Sequence, residues 1–178
     1  TMPRHMEWIF VSLASALAGF VDAIVGGGGL ILVPAMFAAF PSAAPASLFG
    51  TNKAAAVWGT AMSTWQYSRR IQITWATIVP GIAAAGLGAF WGAWSVTQVN
   101  PDFLRKLLPV ILLGVLMYTL AKKELGREHL PRHSQRTAQW LTAAIGAVIG
   151  FYDGFFGPGT GSFFVFLLVR LLGYDFLN

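Results

Sequence analysis

Asp22 stands alone among apolar residues in VDAIVGGGGLILVPAM (21–36), and four glycines, Gly26, Gly27, Gly28 and Gly29, follow it. Each glycine costs a helix about 1 kcal/mol relative to alanine, and a carboxylate in apolar surroundings costs more. Neither residue type is expected here for helix stability. A helix that starts at Gly29 or Leu30 turns unpaired N–H groups toward the glycines, equivalent to about half a positive charge. Glycine also lets a ligand approach the backbone closely. The chemistry implied is anion binding. At membrane depth such a break is tolerated where it lines a cavity.

The pattern occurs twice. GFVDAIVGGGG (19–29) resembles GFYDGFFGPGTG (150–161). Gly19, Phe20, Asp22 and Gly26 correspond to Gly150, Phe151, Asp153 and Gly157, each pair 131 residues apart. One residue later, Gly29 corresponds to Gly161. Gly157, Gly159 and Gly161 thus form a second break, and Thr160 and Ser162 add hydroxyl donors. Paired Gly/Pro-interrupted segments at matching positions mark the binding sites of secondary transporters. Two breaks facing each other would cradle one small anion. The alternative is close helix packing, which glycine also serves.

Lys53 strengthens the anion reading. It lies within the apolar helical run FGTNKAAAVWG, far from either end loop, and an intramembrane lysine is a functional candidate. It would neutralise an anion, with Thr51 and Asn52 adding hydrogen bonds. Its alternatives are a structural pair with Asp22 or snorkelling to an interface. Asp22 and Asp153 lie one turn before their breaks, where the helix C-terminus disfavours a negative charge. Burial favours their protonated forms, which suits proton coupling or gating. A salt bridge or a backbone hydrogen bond that holds each break is the other reading. Arg170, in the second short apolar run, reads as an interface residue, with a second charge on the anion side as the alternative.

These residues need elements to place them. The chain has 178 residues, 56% hydrophobic and 11% charged, against about 25% charged in soluble domains. Fourteen Phe and seven Trp suit apolar spans with aromatic belts. The apolar runs are too long and continuous for barrel strands. The expected fold is therefore all-α: a polytopic transmembrane helical bundle with internal inverted repeats and Gly-broken half-helices. Helices are expected at about 8–25, 30–40, 46–68, 75–97 and 102–121, with a further run from 138. Small residues at 81, 85, 88 and 92 would permit close packing of the fourth run. Residues 1–137 read as a first repeat and 138–178 as the start of a second, incomplete at Asn178. If 30–40 completes a crossing, five crossings separate the copies and the repeats are inverted, as expected; if it turns back to the same face, they run parallel.

Seven of the twelve basic residues fall in two connecting segments, at Arg69, Arg70, Lys122, Lys123, Arg127, Arg132 and Arg136. That concentration places the 69–74 and 122–137 loops in the cytoplasm of a multi-pass membrane protein. The net charge of +5 is thus a topology signal, and no nucleic-acid partner is expected. Cysteine is absent, so no Cys-ligated metal is expected. Glu128, His129 and His133 have usable metal spacing but lie in the basic loop, and no metal or cofactor is expected. GPGTGS lacks the lysine of a phosphate loop and the strand before it. No intramembrane histidine is available to activate Ser162, so an enzyme is not expected.

GFVDAIVGGGGLILVP, GTNKAAA and GFYDGFFGPGTGSFF together resemble the sulfite exporter TauE/SafE family of membrane transporters, over essentially the whole chain. The resemblance implies a helical protein with two related halves that moves sulfur-containing anions across the bacterial inner membrane. It also implies that Gly26 to Gly29, Asn52, Lys53 and the Gly157–Ser162 stretch line the path. The counterpart of GTNKAAA in the second half is expected beyond Asn178. The combined expectation is a secondary transporter of small sulfur oxyanions or organosulfonates such as sulfite, working by alternating access. Alternatives are an anion channel on the same scaffold or a non-transporting membrane subunit.

Overall fold

The computed structural model describes residues 3–25, 27–70, 75–121 and 135–167. Gly26, Arg170, the possible ligands Glu128, His129 and His133, and the rest of 122–134 and 168–178 lie outside the described residues. Among the described residues the fold is all-α, with seven helices: α1 (Arg4–Val25), α2 (Gly29–Ala39), α3 (Pro45–Ser68), α4 (Trp75–Gln98), α5 (Pro101–Ala121), α6 (Gln135–Phe155) and α7 (Thr160–Leu167). The expected runs are all present. The first starts earlier than expected, at Arg4 rather than about 8, and the sixth at Gln135 rather than 138.

Among the described residues, two helices are long and apolar enough to cross a membrane, His5–Ile24 and Ile78–Gln98. A soluble core helix would bury such a sequence. Here Leu13, Phe20, Ile24, Leu87 and Phe90 are all exposed, the pattern of a lipid-facing surface. Apolar all round, α2 instead buries Leu32, Val33, Ala35, Met36 and Ala39 in the interior.

The tightest packing joins α4 to α6. A Cβ at Gly146 would lie 2.5 Å from Gly81 O. One at Gly88 would strike Ala147 O, at Gly92 Phe151 O, at Gly150 Ala85 O, and at Gly154 Ala89 O. The small residues at 81, 85, 88 and 92 thus form the expected seam, against Gly146, Gly150 and Gly154. The residue order along the seam makes α4 and α6 parallel. Gln139 Nε2 donates to Ala76 O at 2.9 Å, which ties their N-terminal ends together. The N-terminal ends of α4 and α6 therefore lie at one end of the bundle.

At the other end the Arg105 guanidinium of α5 donates to Ala43 O, just before α3, and stacks over the Phe37 ring. Phe49, Val33, Val96, Leu104, Leu108 and Phe156 form the core there. Phe40 packs against Trp8, ring centroids 5.6 Å apart. The 30–40 run therefore does not carry the chain onward. It turns back antiparallel along α1. The α1–α2 break lies beside the second turn of α3. Helix α1 runs away from the Arg105 end and α6 runs toward it.

Candidate functional site

Both breaks arrive at one place. A Cβ at Gly29 would lie 3.6 Å from Pro158 Cα and 3.6 Å from Asn52 Nδ2. The first turns of α2, the α6–α7 connection and the second turn of α3 therefore touch around Gly29. The two carboxylates near this point are stabilised in different ways.

Asp22 ends α1, where the helix dipole disfavours it, but it faces the start of α2. Gly28 N–H donates to Asp22 Oδ1 at 2.8 Å. A carboxylate that accepts a helix N-terminal amide is favoured by hydrogen bonding and by the dipole of that second helix. The close approach requires glycine: a Cβ at Gly28 would lie 2.7 Å from Ala18 O and 2.9 Å from Asp22 Cβ. The Leu30, Ile31 and Leu32 amides bond to Gly27 O and Gly28 O. The expectation of an open row of N–H groups is corrected here, since Asp22 already holds the Gly28 amide.

Asp153 ends α6 and has a different partner. Lys53 Nζ of α3 donates to Asp153 Oδ1 in an ion pair. The alternative pair of Lys53 with Asp22 is thereby overturned. The ammonium rests against the left-handed turn that ends α6. Gly157 has φ +87, and a Cβ there would lie 2.6 Å from Lys53 Nζ. A positive charge at a helix C-terminus is favourable. Gly157 N–H donates to Tyr152 O, and Tyr152 Oη donates to Pro158 O at 2.8 Å. Gly159, at φ +82, sits against Val115 of α5. Tyr152 was not singled out from the sequence; its one signal is a phenol inside an apolar run, beside Asp153.

Asn52 is buried, with 8% of its surface exposed, and its amide makes no hydrogen bond to any described residue. Beside it the Lys53 and Asp153 side chains keep 36% and 32% of their surface exposed. One ammonium, the Asn52 amide and two glycine-lined backbone turns thus converge at this point.

The other candidates stand apart from this cluster. Thr51 is exposed and its hydroxyl donates to Ser47 O at 2.9 Å, back along α3. Thr160 Oγ1 donates to Gly157 O at 2.6 Å and braces the turn. Gly27 borders Leu30, and Gly161 faces open space. Ser162 lies in α7.

The sequence matches the family model described as sulfite exporter TauE/SafE over residues 11–178. It is 38% identical over 169 residues to "Probable membrane transporter protein ORF9" of Sinorhizobium sp., covering 95% of this chain and 63% of that protein. It is 39% identical over 159 residues to "Probable membrane transporter protein YfcA" of Escherichia coli K12, covering 89% of this chain and 58% of that protein. A "Probable membrane transporter protein" of Haemophilus influenzae is 34% identical over 160 residues, 61% of its length. The chain spans about three fifths of the length of these curated relatives. No solved structure matches it. The relatives' names and the exposed apolar helices agree that this is a membrane protein. The match across nearly all of its residues places the chain in the sulfite exporter TauE/SafE family.

Proposed function

We propose that this chain forms part of a multi-pass secondary transporter of small anions, sulfur oxyanions or organosulfonates such as sulfite, in the inner membrane. Its two Gly-broken hairpins are read as an inverted repeat around which access alternates. The observation that carries the reading is the meeting of Gly29, Asn52, Lys53 and the Gly157–Pro158 turn at one point. The ammonium sets the sign of the ligand charge, the Asn52 amide offers a hydrogen bond, and the family description supplies sulfite. The shared end of α4 and α6 supports the 69–74 and 122–137 loops on one side, and their basic residues make it the cytoplasmic side. The site reading excludes Thr51 and retains the glycines as close-approach positions rather than as a row of free N–H donors.

The test is counterflow. Proteoliposomes of the full-length protein, loaded with unlabelled sulfite or methanesulfonate, should accelerate entry of the labelled anion, and Lys53→Ala should abolish this. Net flux without counterflow would make the protein a channel. Full exchange in Lys53→Ala would remove Lys53 from the path.

A further inference from the structure

Lys53 brings one positive charge to the break, and Asp153 already neutralises it. An arriving anion must displace that carboxylate. If Asp153 stayed ionised, one ammonium would face two negative charges among apolar helices. The displaced carboxylate would also stand in the last turn of α6, at the negative end of the helix dipole. One proton on Asp153 removes both penalties.

We propose that Asp153 is the proton-binding group of the site: it takes up one proton when an anion binds Lys53 and returns it when the anion leaves. The inference rests on the carrier reading above. The balance is one anion and one proton bound, the Lys53–Asp153 contact broken, and Lys53 charged throughout. Anion and proton then travel in the same direction, and the empty carrier returns with the ion pair closed.

Few other groups compete for this role. No ionisable side chain occurs in α2, α4 or α7. From α3, Lys53 reaches Asp153, and Tyr67 lies at the far end of that helix. Tyr152 of α6 is engaged with Pro158 O. Asp102, Arg105 and Lys106 stand at the start of α5, with Arg105 held by Ala43 O, and Tyr118 lies near its other end. Asp22 of α1 is the remaining acid at the break, and it is occupied by the Gly28 amide. Asp22 is therefore a structural cap, although it occupies the matching position in the sequence.

The experiment is calorimetric titration of the purified full-length protein with methanesulfonate, which stays ionised across the carboxylate range. Two buffers of different ionisation enthalpy give the protons taken up per anion. The expectation is about one proton per anion wherever Asp153 starts out ionised, with affinity falling about tenfold per pH unit there. Asp153→Asn should bind without proton uptake, and Asp22→Asn should keep it. Anion binding by the wild type with no proton uptake overturns the inference while sparing the carrier reading. Proton uptake that survives in Asp153→Asn overturns it as well. Absence of both binding and counterflow in the wild type sinks the carrier reading and the inference with it. The wild-type titration decides even if a variant fails to fold.

Discussion

Lys53 of α3 and Asp153 of α6, 100 residues apart in the chain, form an ion pair against the backbone of Gly157. The pair links the α1–α2–α3 side of the molecule to the α4–α6 seam. Truncating one member of a fully buried pair costs about 3–5 kcal/mol. Here roughly a third of each side chain is exposed, so solvent screening reduces the cost to about 1–2 kcal/mol. Lys53→Ala and Asp153→Ala should each lower thermal stability in detergent by that order. The double variant should lose less than the sum of the two. Strict additivity would mean the pair contributes nothing to folding.

Gly157 and Gly161 should respond differently to alanine. Gly157 has φ +87 and Lys53 Nζ 2.6 Å from its missing Cβ. Gly157→Ala therefore combines backbone strain of about 1–2 kcal/mol with displacement of the ammonium. Gly161 faces open space within α7, and Gly161→Ala should be neutral or stabilise by up to about 1 kcal/mol through helix propensity. Melting temperatures of the two variants check this. Equal losses would show that the turn does not depend on the left-handed glycine.

At the first break, Asp22→Ala removes the acceptor of the Gly28 amide and should cost about 1 kcal/mol. Asp22→Asn keeps an oxygen in place and should cost less. Gly28→Ala places a methyl group against Ala18 O and Asp22 Cβ and should be the most damaging of the three, at roughly 1–3 kcal/mol. Hydrogen exchange at the amides that open α2 offers a local readout. Slow exchange retained in Gly28→Ala would contradict the close approach.

The α4–α6 seam leaves no room for a side chain at its glycines. Gly150→Leu or Gly154→Leu should separate the helices and strongly reduce the yield of folded protein, since the obstacle is backbone rather than a flexible side chain. Gly86, on α4 but away from the seam, meets nothing within 4 Å. Gly86→Ala should leave yield and melting unchanged or improve them. Size-exclusion profiles of the three proteins make the comparison.

Composition and spacing alone determined that this chain is helical and membrane-embedded, where its helices break, and that Asp22, Lys53 and Asp153 need compensation. Those conclusions follow from local quantities: run length, glycine, and the cost of a charge in an apolar run. The spacing of small residues at 81, 85, 88 and 92 likewise announced a contact face, because helical periodicity is written along the chain. Which partner each charge finds is a matter of distance between remote segments. Lys53 is as compatible with Asp22 as with Asp153 until the packing of α3 against α6 places one of them within reach. Thr51 and Asn52 are neighbours in sequence, yet successive helical residues point about 100° apart. Packing sent Asn52 into the break and left Thr51 bonded to its own helix. The turn of α2 back along α1 was decided the same way, by the fit of its apolar surface into the bundle core. Only the tertiary structure could therefore make one of two matching acids a cap and the other the partner of Lys53.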